Sequence, residues 1–213
     1  MQKLDQPRRY LAFALAALAG FVDAAGYLSA DQYFVSFMSG NTTRLGVELA
    51  RRPAAALIPA MLALCFVLGV IGGAMLAAPA QGNHKPRLLT AVAILLGVAA
   101  ALGGGPWPLA SLAVLAAAMG ALNNSFQRDG QVSVGLTYMT GALVRMGQGL
   151  AARALGRDGA GWHRWLGLWL ALACGATLGA FAQIHLAQDA FWLASIYAGV
   201  LALVAGTLGV ERS

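Results

Sequence analysis

Six stretches of this chain are long and apolar enough to read as helices inside a bilayer: about 10–30, 54–79, 88–104, 108–127, 162–186 and 190–210. A transmembrane helix needs about 20 mostly apolar residues. In hydrocarbon only helices and closed barrels satisfy every backbone group internally. The breaks between the stretches are turn chemistry, as in Pro79 to Pro86 and in Gly103-Gly104-Gly105-Pro106-Trp107-Pro108. Trp107, Trp162, Trp165 and Trp192 lie near stretch ends, where indole favours the membrane interface. Composition agrees: 59% of residues are hydrophobic and 10% charged, against about 25% charged in a soluble domain. Mean hydropathy is +0.69. These values exclude a soluble enzyme and a disordered chain.

The net charge of +6 reads as topology, because Lys and Arg are retained in cytoplasmic loops. Those residues are spread over short loops and do not gather on one soluble face, so nucleic acid is not an expected partner. Cys65 and Cys174 lie inside apolar runs, with no disulfide framework and no metal pattern. Lys3, Arg8 and Arg9 precede Ala17-Leu18-Ala19, which has the look of a leader cleavage site. The apolar run continues to Leu28, so no cleavage is expected.

Two further stretches, 33–50 and 135–152, look helical but carry polar and charged groups. Eighteen helical residues cover about 27 Å, barely a bilayer crossing. Arg44 or Glu48 facing lipid would cost about 2.5–3.5 kcal/mol each. The two stretches align with each other: Met38-Ser39-Gly40 with Met139-Thr140-Gly141, Arg44 with Arg145, Gly46 with Gly147. Upstream, Gly20 to Ala24 aligns with Gly120 to Asn124. Downstream, Gly69-x-x-x-Gly73 aligns with Gly175-x-x-x-Gly179. The expectation is an all-α membrane bundle of two repeats, 1–105 and 106–213. Each repeat has a long first helix, a short polar second, a long third with a GxxxG face, and a fourth. Such faces let helices approach closely within a bundle, or join two copies in a homo-oligomer.

If the short polar helices span, the chain crosses eight times and the repeats are parallel. If they are re-entrant, it crosses six times and the repeats are inverted. With Arg44 and Arg145 set aside, the other basic residues divide nine to three in the first case and ten to two in the second. Charge does not separate the two, and both put the termini in the cytoplasm.

Gly20-Phe21-Val22-Asp23-Ala24-x-Gly26-Tyr27, followed by Phe37-Met38-Ser39-Gly40-Asn41-Thr42-Thr43, resembles the YoaK-like bacterial membrane proteins, domain of unknown function family 1275. The resemblance covers essentially the whole chain. It implies a multi-pass protein of the bacterial inner membrane and no known substrate or site. Ser39 stands where threonine is common in that family, which keeps the hydroxyl.

The polar residues at membrane depth gather on the first two helices of each half. They are Asp23, Ser39, Asn41, Thr42, Arg44 and Glu48, then Asn123, Asn124, Thr140 and Arg145. This segregation predicts that those helices line the interior and the other two face lipid. Asp23 is the sharpest residue, since a carboxylate inside a span faces a partner or a cavity. It either binds a proton or cation, or makes a structural hydrogen bond. Arg44 and Glu48, four residues apart, are placed for a local ion pair. Arg145 lacks that partner, which favours an anion or Asp23 as the arginines' target. Gly40 and Gly141 are positions where the short helices can break.

No histidine has metal-ligand spacing, and no catalytic or nucleotide motif is present. Ser39 has no base beside it in the membrane. The expected function is therefore passage of a small solute or ion, with no enzyme activity, cofactor or metal. A non-transporting scaffold or accessory subunit is the alternative. The expected partners are the lipid bilayer and that unidentified solute.

Overall fold

The computed structural model describes residues 5–29, 32–78, 84–128, 131–132, 135–137, 139–187 and 189–208. It contains eight α-helices among these residues: α1 (Gln6–Ser29), α2 (Met38–Arg51), α3 (Leu57–Ala77), α4 (Lys85–Gly103), α5 (Pro108–Leu122), α6 (Met139–Ala154), α7 (Trp162–Leu186) and α8 (Asp189–Thr207). Short 3₁₀ turns, Pro53–Ala56 and Asn123–Ser125, precede α3 and follow α5. A two-residue antiparallel pairing joins Gln127–Arg128 to Gln131–Val132. The helix starts follow from local chemistry. Asp5 Oδ1 accepts the Arg8 amide at 3.1 Å ahead of α1, and Pro86 and Pro108 open α4 and α5, where a missing N–H costs nothing.

Among the described residues, five segments are long and apolar enough to cross a membrane: Gln6–Ser29, Pro53–Ala77, Lys85–Gly103, Trp162–Leu186 and Asp189–Thr207. The sixth expected stretch, 108–127, is shorter than predicted. Its α-helix stops after 15 residues at Leu122, because Asn123, Asn124 and Ser125 bond to local carbonyls and tighten the chain into the 3₁₀ turn. The expected stretches that include 30, 79, 138 and 209–210 extend there beyond the described residues.

The core is built on α1 and α5. Leu15, Leu18 and Val22 of α1 and Leu115, Met119 and Leu122 of α5 are fully buried. Within its apolar window α1 is 56% buried, whereas α3 is 28% and α7 17%. α3 and α7 therefore lie outermost. The short polar helices do not line the interior, which corrects the sequence reading. On α2 only Asn41 and Glu48 are buried, and on α6 only Ala142. Their many polar side chains have no apolar core to face, so both pack from outside, α2 on α3 and α6 on α7.

The long helices pair crosswise between the halves. Phe13, Ala17 and Phe21 of α1 rest on Gly167, Gly175 and Gly179 of α7, in ascending order, so these helices run parallel. Ala117 and Ala121 of α5 rest on Gly69 and Gly73 of α3, again parallel. A methyl group on Gly69 would overlap the Ala117 carbonyl oxygen, and one on Gly175 the Ala17 carbonyl oxygen. Both GxxxG faces are thus consumed inside the chain. Of the two roles expected for these faces, packing within the bundle is the one observed.

α4 and α8 run antiparallel: the Ser195 hydroxyl donates to the Ala93 carbonyl at 2.8 Å, and Gly206 faces Pro86. α4 and α5 form a hairpin in which the Ser111 hydroxyl donates to the Ala99 carbonyl at 2.7 Å. α8 folds back along α7, because Tyr197 Oη donates to the Ala14 carbonyl at 3.4 Å, beside the Phe13–Gly167 contact. A straight continuation would carry Tyr197 about 45 Å from Gly167. Hence α1, α4 and α7 point one way and α3, α5 and α8 the other. The end of α1 and the start of α3 share one end of the bundle, with α2 between them. The end of α5 and the start of α7 share the opposite end, with α6.

The crossings make a testable contrast. Gly69→Val and Gly175→Val are expected to destabilise the purified protein by about 3 kcal/mol through overpacking. Gly72→Ala, with open space around it, is expected to be neutral or slightly stabilising. Thermal unfolding in detergent, followed by tryptophan fluorescence, measures both; equal midpoints for Gly69→Val and Gly72→Ala would contradict the close crossing.

Candidate functional site

The end of the bundle that carries α2 is organised by the segment between α1 and α2. This segment turns back beside α1, with Val35 against Gly26. Its backbone would be left unpaired there, and an unsatisfied buried amide costs about 1–3 kcal/mol. Asp23 supplies the partner. Its Oδ1 accepts the Val35 amide at 2.9 Å and the Ser36 amide at 2.8 Å. Asn41, fully buried in the first turn of α2, holds the preceding residue at both groups. Its Oδ1 accepts the Phe34 amide at 3.1 Å, and its Nδ2 donates to the Phe34 carbonyl at 2.6 Å. Three consecutive amides are therefore taken by two side chains.

The arginine assignments differ from expectation. Glu48 pairs with Arg52, not Arg44, through two contacts of 3.1 and 3.2 Å. The hydrogen bond, and then the charge of Glu48, raise the Arg52 guanidinium above its ordinary pKa. The Arg44 side chain reaches back along the segment instead. It donates to the Gln32 carbonyl and lies 3.9 Å from the Tyr33 ring centroid. Arg145 stacks 4.6 Å from the Trp165 ring centroid of α7 and is exposed. Chain direction explains the change, because residues before α2 fold back within reach of Arg44.

The Ser39-Gly40-Asn41 element is the first turn of α2 and does not break it. Gly40 is bare because the Phe37 and Phe34 rings lie across it. Ser39 is exposed, and the Thr42 hydroxyl bonds back to the Met38 carbonyl at 2.8 Å. Thr140 and Gly141 are also exposed, in the first turn of α6.

At the opposite end Asn123 takes the place of Asp23. Its Oδ1 accepts the Thr137 hydroxyl at 3.2 Å, and its Nδ2 donates to the Met119 carbonyl at 3.0 Å. Asn124 Nδ2 donates across to the Val70 carbonyl of α3 at 3.0 Å. The candidate residues thus form two clusters at opposite ends of the bundle, and not one constellation.

A cleft of about 280 Å³ opens between α1 and α7 at the Asp23 end. Gly20, Asp23, Ala24 and Tyr27 line it from α1, Phe34 from the turning segment, and Leu172, Ala176 and Ala180 from α7. Tyr27 and Phe34 pack with ring centroids 4.8 Å apart. Continuing the α7 stripe Leu172, Ala176, Ala180 by three residues gives Gln183, on the same helical face. Its Oε1 is buried and has no hydrogen-bond partner among the described residues. Sequence reading passed over Tyr27, Phe34 and Gln183. An amide inside an otherwise apolar span was the available signal for Gln183.

Asn41→Leu is expected to leave the buried Phe34 amide and carbonyl unpaired and to destabilise by about 2–4 kcal/mol. Asp23→Asn retains an acceptor oxygen and is expected to lose much less. Hydrogen exchange at the Phe34, Val35 and Ser36 amides separates the two: protection lost in Asn41→Leu and largely kept in Asp23→Asn. Equal protection in both would remove Asn41 from this role.

No solved structure matches the chain. The UPF0700 transmembrane protein RA0705 of Rhizobium meliloti (strain 1021) is 38% identical over 203 residues, covering 95% of this chain and 87% of that protein. A family model described as "Protein of unknown function (DUF1275)" matches residues 11–204, a range that takes in both polar clusters and the cleft. With five helices apolar enough to cross a bilayer and this likeness over nearly its whole length, the chain is a multi-pass membrane protein and belongs to the DUF1275 family.

Proposed function

We propose that the protein carries a small solute or ion across the bacterial inner membrane and is a carrier, not an enzyme. Its two halves, 1–105 and 106–213, are read as inverted repeats that cross six times. One observation carries the proposal: α1 pairs with α7, and α5 with α3, through matching glycines, while α1 and α5 point in opposite directions. Inverted halves meeting at a shared interface are the architecture of many secondary transporters, in which one half rocks against the other. α5 serves as the sixth crossing. Its 15 α-helical residues and three-residue 3₁₀ turn together reach about 28 Å, and its buried position spares it the need for a long apolar surface. α2 and α6 then lie on opposite membrane faces.

Six crossings put ten of the basic residues, Arg44 and Arg145 aside, on the side of both termini, leaving Arg51 and Arg52 on the other. That supports cytoplasmic termini. The solute path follows the cleft between α1 and α7, which belongs to both halves. A second reading, a non-transporting scaffold, draws support from the full engagement of Asn41 with the turning segment.

Two measurements test the proposal. In a chain with Cys65 and Cys174 replaced by alanine, Arg51→Cys is expected to react with an impermeant maleimide from outside the cell. Arg153→Cys is expected to react only after permeabilisation. Labelling of both from one side would overturn the inverted arrangement. In proteoliposomes, a panel of labelled metabolites and ions is expected to include one whose flux falls at least about tenfold in Asp23→Asn. Flux unchanged by that substitution across the panel would leave the scaffold reading.

A further inference from the structure

The cleft between α1 and α7 is chemically lopsided. Its walls are apolar and aromatic, and its one charged side chain is Asp23. Among the described residues, the groups acting on that carboxylate belong to Val35, Ser36 and Phe37, and none of these is a cation. The buried Gln183 Oε1, on the cleft-facing stripe of α7, is a second acceptor without a donor among the described residues. A carboxylate beside two aromatic rings, with an orphan acceptor on the same face of α7, calls for a ligand that brings positive charge and N–H donors on an apolar body.

The aligned positions at the opposite end carry different side chains. Ala24 aligns with Asn124, and Ala176 with Val70. Asn124 is buried there and bonds to the Val70 carbonyl. Where the cleft exists, two alanines stand in those places. The volume of about 280 Å³ suits a compact ligand, since about 150 Å³ already holds benzene.

We infer that the cleft between α1 and α7 binds a small organic ammonium, its cationic head between Asp23 and Gln183 and its apolar body against Tyr27, Phe34 and the Ala24–Ala176 wall. This deepens the carrier reading by naming the class of solute, and rests on that reading only for what happens after binding. The aromatic pair supplies a face for the cation as well as for the body. Leu28, also in the lining, is 47% exposed, so the cleft opens on the flank of the bundle.

The test is equilibrium binding to the purified full-length chain in detergent, by titration calorimetry, with three probes of similar size. Benzylammonium has charge and donors, benzyltrimethylammonium has charge alone, and benzyl alcohol has neither. Benzylammonium is expected to bind best. Asp23→Asn is expected to weaken it at least about tenfold, and Gln183→Leu a few-fold. The Gln183→Leu effect is expected to vanish with benzyltrimethylammonium. Ala24→Asn, which puts a larger side chain on the cleft wall, is expected to abolish binding of both cations while leaving thermal stability intact. It provides the answer should Asp23→Asn fold poorly.

Absence of benzylammonium binding, equal binding of benzyl alcohol, or binding untouched by Ala24→Asn would each overturn the inference. Flux assays keep it separable from the carrier reading. Ammonium binding without transport upholds the site and removes the carrier. Asp23-dependent flux of another solute without ammonium binding does the reverse.

Discussion

Everything in this bundle depends on four glycines that let two helix pairs touch backbone to backbone. Lipid tails are as apolar as leucine, so helices in a bilayer gain little from merely hiding apolar surface and must gain it from contact. Gly69 and Gly73 give α3 that contact with α5, and Gly175 and Gly179 give it to α7 with α1. Because each pair joins a helix of one half to a helix of the other, neither half closes on itself. The crossings also set the depth of every other group, because they fix which residue of α1 lies level with which residue of α7.

The polar residues are a consequence of that frame. Once α1 and α3 are held with opposite directions, the chain between them must turn and return at one end, and its amides must be paired. Asp23 and Asn41 pair them with side-chain oxygens, as a helix cap does at a helix start. The same problem at the other end is solved by Asn123 with Thr137. Polar groups that look expensive inside a membrane protein are here the means of ending one helix and starting the next without stranding backbone.

Much of this was legible in the sequence, for a physical reason. Crossing a bilayer demands unbroken apolar stretches, and close crossing demands glycine, so both leave marks in one dimension. Gly20 with Gly120 and Gly69 with Gly175 align in sequence and occupy matching crossings. What the sequence did not disclose depends on chain direction. Arg44 and Glu48 are spaced for each other, but a return segment offered Arg44 the Gln32 carbonyl and the Tyr33 ring. The polar stretches 33–50 and 135–152 carry the same residues whether they line a pore or pack outside it, and only the helix pairing separates these cases. Gln183 was overlooked because its significance lies in the α1–α7 register, not in its neighbours along the chain.

The two polar clusters differ in their side chains, and under the carrier proposal that difference would have a thermodynamic meaning. Rocking exchanges the shapes of the halves, so the closed end must open as the open end closes. Opening the Asn123 end breaks the bond from Asn124 to the Val70 carbonyl. Closing the Asp23 end would form no equivalent bond, because Ala24, where Asn124 stands in the alignment, has no side-chain donor. A net hydrogen bond of about 0.5–1.5 kcal/mol biases the equilibrium roughly two- to tenfold toward the form with the Asp23 cleft open. A bias of that size is small enough for one bound ion to reverse, since a ligand shifts such a balance by its difference in affinity for the two states. In the carrier proposed above, the empty protein would rest with the Asp23 cleft open, and the solute's difference in affinity for the two states would supply the energy of the turn.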